Sequence, residues 1–230
     1  MVSAENQKGS EELLPAPVIP RELNPEGLIS VVDARKGFQF ECKVNQAFRN
    51  DVLSVLIDDA PTPIFNRTIE HDIGPESPPF EFILPIRFAT EGFHHLRQQL
   101  NGAQPSPKKQ FIIDFTPHYS SGAPPAPRPP ADLPDGKVTS IYLDDNGGVL
   151  FSFEDPEDWA PGDTMRLYWG GSDGVPLETV PLREFGNTYL LTATVIRSTG
   201  PGRFLFYYVL MDLAGNVSQR SRSLSLEVDI

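Results

Sequence analysis

Residues 202–230 read GRFLFYYVLMDLAGNVSQRSRSLSLEVDI. They hold a strand, a turn and a returning strand. Gly202–Asp212 is an almost unbroken run of apolar and aromatic residues, the pattern of a strand covered on both flanks. Gly215-Asn216 is a turn-forming pair. The final stretch alternates, with Leu224, Leu226, Val228 and Ile230 on one parity and Ser223, Ser225, Glu227 and Asp229 on the other, which gives one core face and one solvent face. Working back toward the middle of the chain, GGVLFSF (residues 147–153), DTMRLYW (163–169) and TYLLTATV (188–195) are each of strand length and rich in β-branched or aromatic residues. Between them lie Asn146-Gly147, Pro161-Gly162 and Asp173-Gly174. Of these turn signals, Asn146-Gly147 reads as a hairpin turn.

The first half repeats this grammar more loosely. FQFECKV (38–44), DVLSVLID (51–58), FEFIL (80–84) and QFIIDF (110–115) supply its strands. GFHHLRQQL (92–100) places Phe93, Leu96 and Leu100 at helical spacing, but it stands where the second half has the strand beginning at Gly202, so a strand is expected there. Each half is led by a proline phrase, LPAPVIPREL (14–23) and PPAPRPPADL (124–133), within a chain that carries 24 prolines. Proline fixes φ and lacks an N–H, so each phrase is expected to be a semi-rigid, extended spacer. Short strands without a convincing long helix imply antiparallel sheets packed face to face. The expected fold is therefore all-β: a disordered tail over residues 1–13, then β-sandwiches over 14–120 and 121–230, joined by a proline-rich linker.

The second half resembles the bacterial immunoglobulin-like (Ig-like) repeats that occur in tandem in surface adhesins. The resemblance rests on PAPRPPADL, on WAPGDTMRLYWGG (159–171), and above all on YYVLMDLAGNVSQRSRSLSLEV with its Asp-x-x-Gly-Asn turn. The first half lacks that turn and the Pro-Gly pair, so its resemblance is weaker. The family implies an Ig-like sandwich acting as spacer, stalk or binding module, and implies no catalytic residues.

Charge narrows the partners. Thirty-one acidic against nineteen basic residues give a net charge of −12, shared by both halves. Phosphate binding needs clustered Lys and Arg, so nucleic acid is not an expected partner. No long apolar run suggests membrane insertion, and no signal peptide is visible at the N-terminus, which leaves a cytoplasmic location or non-classical export to the cell surface as the expectation. The one cysteine, Cys42, alternates with Phe38, Phe40 and Val44, the setting of a buried thiol rather than a nucleophile.

Chemistry has few places to reside. The four histidines, His71, His94, His95 and His118, lie at no metal-ligand spacing and read as scattered surface or half-buried groups. No nucleophile elbow or phosphate loop is written. The loop FEDPEDWAPGD (153–163) is the best candidate for calcium, a hard cation that takes oxygen ligands, through Glu154, Asp155, Asp158 and Asp163. Two of its carboxylates could also serve a small glycoside hydrolase. Trp159 in the same loop, with Tyr168 and Tyr207, could form an aromatic surface for a sugar ring, although Trp159 also suits an end cap, and Trp169 reads as core. The expected function is non-enzymatic and adhesin-like, toward a protein or glycan partner, with no cofactor unless calcium binds. Carbohydrate recognition stands second, and a homodimer by edge-strand pairing is open.

Overall fold

The computed structural model describes residues 14–133 and 136–230; the expected tail over 1–13 lies outside the described residues. The chain divides into two compact units, one closing at Phe115 and the next opening at Thr116. Residues 116–120 therefore belong to the second unit.

In the first unit the strands are β1 (Leu28–Ile29), β2 (Gln39–Cys42), β3 (Val52–Ile57), β4 (Phe65–Thr68), β5 (Phe80–Ile83), β6 (Gly92–Leu100) and β7 (Lys109–Ile113), with a short helix α1 (Val31–Lys36) after β1. They form a five-stranded sheet in the order β1-β7-β6-β3-β4 and a two-stranded sheet β2-β5. The second unit has β8 (Lys137–Thr139), α2 (Ser140–Asn146), β9 (Gly148–Ser152), β10 (Thr164–Gly170), β11 (Val175–Pro181), β12 (Thr188–Thr192), α3 (Ala193–Thr199), β13 (Gly202–Met211) and β14 (Leu224–Asp229). Its sheets run β11-β10-β13-β14-β8 and β12-β9, so the two units share one plan. In both, the first short strand pairs in parallel with the last one, Leu28 with Ile112 and Val138 with Val228. This is the Ig-like sandwich, built twice.

Alternation along each strand decides which side chains fill the space between the sheets. On β10, Met165, Leu167 and Trp169 point inward and are almost fully buried. They meet Phe151 and Phe206, whose ring centroids are 4.4 Å apart. On β3 the inward set is Leu53, Val55 and Ile57, packed with Phe40 and Phe111. Each such side chain contributes roughly 2 kcal/mol by leaving water. Cys42 belongs to this core and is fully buried, which pushes its thiol pKa up to about 12. Gly92–Leu100 is a strand, as its place in the repeat required: His94, Leu96 and Gln98 face in, while Phe93 is 73% exposed. A serine completes each long strand beyond the reach of its sheet partner: the backbone N–H groups of Gln98 and Tyr208 donate to Ser106 Oγ and Ser221 Oγ, both at 3.0 Å.

At three places the structure differs from the expectation. Thr188–Val195 is not one strand; it ends at Thr192, whose hydroxyl accepts from Val195 N and caps α3. Asn146-Gly147 is not a hairpin turn but the end of α2, with Gly147 at φ 69°, ψ 2°, a left-handed cap that glycine adopts without strain. The proline phrases are not free spacers. Val18 exchanges backbone hydrogen bonds with Glu41 at 2.9 and 2.8 Å, and Arg128 does the same with Ser152 at 2.8 and 3.0 Å. Pro124 and Pro127 are buried in the second unit. Each phrase is thus an edge segment of its own sandwich. Antiparallel bonds alternate, so the next groups facing the partner belong to residues two away, where Pro20 and Pro130 have no N–H to donate; Pro127 and Pro129 beside Arg128 leave the outer edge without donors.

Among the described residues no helix is long and apolar enough to cross a membrane.

Candidate functional site

The acidic loop between β9 and β10 closes over His118. That histidine is 3% exposed and its ring lies between two carboxylates: Nδ1 is 2.7 Å from Asp158 Oδ1, and Nε2 is 3.1 Å from Asp163 Oδ2. The second approach is ionic rather than a well-aligned hydrogen bond. Asp163 is 1% exposed and its carboxylate also accepts from Ala160 N at 2.7 Å and Leu213 N at 3.0 Å. One buried carboxylate therefore ties the loop, the turn after β13 and the segment carrying His118. Burial by itself would lower the His118 pKa; contact with Asp163 and then Asp158 outweighs it and raises the pKa to about 9. The ring is an imidazolium at neutral pH.

The remaining acidic candidates have separate tasks. Asp155 accepts from Gly186 N, Asn187 N and Asn187 Nδ2, the last at 2.8 Å. Partial burial works against its charged form, but these hydrogen bonds, led by the Asn187 side chain, hold its carboxyl below the usual range. Glu154 pairs with Arg128 at 2.9 Å on the surface. Of the four carboxylates proposed for calcium, Asp158 and Asp163 thus share the His118 ring, while Asp155 and Glu154 face other donors. Among the described residues, no group of three or more His, Cys, Asp or Glu side chains is gathered for a metal ion.

The three aromatic candidates fall on different surfaces. Trp159 packs half-buried against the core and donates Nε1–H to Leu182 O at 3.1 Å. Tyr168 and Tyr207 face outward from the five-stranded sheet as a cross-strand pair, stacked at 4.9 Å with 4° between ring planes. Tyr207 is only 6% exposed, because the Arg220 guanidinium lies 3.6 Å from its ring centre. Arg220 is in turn anchored on Ser172 O and Ser223 Oγ, both at 2.7 Å. Tyr207 is therefore covered by Tyr168 and Arg220, and the structure does not bring Trp159 beside it.

The first unit holds a second polar cluster, around Asp58 and Asp59. Asp58 and Asp59 follow β3 with φ of 52° and 55°, left-handed conformations that need support from side-chain contacts. Asp58 Oδ2 lies 2.7 Å from His94 Nδ1, and Asp58 Oδ1 accepts from His95 N at 2.9 Å. His94 Nε2 lies 2.8 Å from Thr90 O, so both nitrogens of this buried ring face acceptors, and its plane stacks on Phe111. Asp59 meets Lys108 Nζ at 2.7 Å and His95 Nε2 at 3.1 Å; these contacts, led by Lys108, hold its carboxyl pKa down to about 2. His94 and His118 are thus not scattered surface groups. His94 could have been found from its parity with Leu96 and Gln98; His118 has no local pattern, since its partners lie about forty residues on.

No protein-family model matches the chain, and no curated protein matches it. Solved structures do. The human OSCAR ligand-binding domain is 14% identical over 93% of this chain and 100% of that one, with a TM-score of 0.37. Fibronectin(III)-like modules of CbhA from Clostridium thermocellum are 12% identical over 94% and 93%, with a TM-score of 0.41. A 1.5-MDa bacterial ice-binding adhesin is 14% identical over 94% of this chain and 65% of that one, with a TM-score of 0.47. At these values the Ig-like architecture rests on the chain's own strand pairing, and what those proteins bind is a property of those proteins.

Proposed function

We propose that the protein is a non-enzymatic, adhesin-like pair of Ig-like modules that acts by holding exposed loops in place for a protein or glycan partner at a cell surface or outside it. The observation that carries this reading is the use made of the acidic loop. Asp155, Asp158 and Asp163 are engaged with His118, Asn187 and backbone N–H groups, which are contacts that stiffen a frame. A glycosidase would instead need two carboxyls facing one open cleft across a scissile bond. Trp159 belongs to the same frame, since its ring packs on the core and its N–H is satisfied by Leu182 O.

Two assays test the reading together. The purified chain is applied to a broad glycan array with calcium and with chelator, and a glycoside panel is assayed for release of reducing sugar. The expected outcome is no turnover, and any glycan binding unchanged by chelator. Turnover that Asp158→Asn abolishes while the fold persists would overturn the non-enzymatic reading. Binding that chelator removes would assign calcium to the loop after all.

A further inference from the structure

A sandwich with open sheets must protect its edges, because an unpaired strand offers its N–H and C=O groups to any other strand. Here nearly every edge is guarded. β11 carries Pro176 and Pro181, and its register against β10 shifts between Arg166 and Tyr168. The segments at Val18 and Arg128 are flanked by prolines, and β1 and β8 are two and three residues long. β4 presents Arg67. β5 presents Glu81 directly opposite Glu41 of β2, so a strand added there would meet a pair of carboxylates.

β12 has none of these devices. Its sequence is Thr188-Tyr189-Leu190-Leu191-Thr192, and among the described residues its one strand partner is β9. The ladder is bracketed by Phe153 N to Asn187 O at 3.0 Å and Ala193 N to Gly147 O at 2.9 Å. Antiparallel bonds alternate, so odd-numbered residues of β12 bond to β9 and the backbone groups of Thr188, Leu190 and Thr192 point away from it. On the solvent face, Leu190 (41% exposed) lies directly opposite Leu150 (53% exposed), and Thr188 lies opposite Ser152. The strip itself carries no charged side chain, in a chain whose net charge is −12; its near neighbours with charge are Glu178 of β11, against the Tyr189 side chain, and Arg128, paired with Ser152 at the far side of β9.

We infer that β12 is a docking edge for a second copy of this chain, joined by a twofold axis through Leu190. The pattern is self-complementary. With Leu190 opposite its symmetry mate, Thr188 faces Thr192 of the other copy, a favourable cross-strand pair, and about four backbone hydrogen bonds close across the axis. The two Leu150–Leu190 pairs then become one continuous apolar row. Charge also favours the site, because two acidic copies repel each other wherever carboxylates meet, and the residues that face each other across the axis, Thr188, Leu190 and Thr192, bring none of their own. The contact is small by the standard of stable interfaces, so association is reversible and concentration-dependent.

The test is sedimentation velocity on the full chain over a concentration series, at low and high salt. The expected result is a monomer–dimer equilibrium that tightens with salt, as screening removes the repulsion between copies. Leu190→Lys is expected to weaken it at least tenfold with the melting temperature unchanged. Val175→Lys, on the guarded edge of the same unit, is expected to leave it unaltered. Leu190→Cys should cross-link to itself on mild oxidation and Thr188→Cys should not, since only position 190 meets its own mate; the native Cys42 is buried and stays out of the reaction. A chain monomeric at every concentration, or a dimer indifferent to Leu190→Lys, would overturn the inference. So would a monomer that takes an extended peptide on β12 instead of a second copy.

Discussion

At the scale of the residue, His118 explains most about the second unit. It is nearly inaccessible and held between one carboxylate that is 1% exposed and one that is 56% exposed. Its folded pKa is raised to about 9 from an ordinary 6.5, so its contribution to stability is fully present below about pH 6.5 and is lost as pH rises through about 9. With the contact to the open Asp158 discounted for solvent screening, the loss is about 2 kcal/mol. Urea titrations of the full chain between pH 6 and pH 10 should show it, and His118→Gln should flatten the profile while lowering stability by about 3 kcal/mol, because Asp163 is left buried without its counter-ion. Parallel profiles for the two proteins would contradict this. Trp159 and Trp169 differ in the same experiment: Trp169→Ala, emptying the core, should cost about 4 kcal/mol, and Trp159→Ala, uncovering one end of it, about 2 kcal/mol. The sequence marked Asp158 and Asp163 as acidic ligands but neither their partner His118 nor their structural task. His118 stands in no strand whose alternation could mark it, and its pairing with Asp158 and Asp163 is made only when the chain has folded.

At the scale of the element, alternation made the strands readable, and capping made their ends unreadable. Met165, Leu167 and Trp169, or Leu226 and Val228, announce their faces by parity. Thr192 ends β12 with a hydroxyl that also opens α3, and no change in apolar pattern marks the switch. Asn146-Gly147 suits a hairpin and a helix cap equally, because both require a left-handed backbone at the glycine. The proline phrases misled in a physical way. Low flexibility and missing donors describe a spacer and also a guarded edge strand, and only the exchange of bonds at Val18 and Arg128 separates them. Arg128→Pro removes one N–H and one bond to Ser152, and should cost about 1 kcal/mol by thermal unfolding. Arg128→Ala breaks just the exposed pair with Glu154 and should change stability by less than about 0.5 kcal/mol. Equal losses in the two variants would mean that the phrase is not paired as an edge.

At the scale of the whole molecule, each of the two units has its own hydrophobic cluster, one running from Leu14 to Ile113 and the other from Leu133 to Val228. The repeated plan was legible because the second half writes it cleanly and the first half follows it in order. Where the second unit opens was less so, since the proline phrase drew attention away from the residues before it. One Ig-like frame is thus built twice, and the second copy is closed by a buried histidine supplied from upstream of its proline phrase. The most direct test compares the unfolding free energy of a fragment spanning residues 116–230 with that of one spanning 121–230. Both fragments are expected to fold, the shorter one, without His118, being less stable by about 3 kcal/mol; equal stability would mean that His118 does not close the unit.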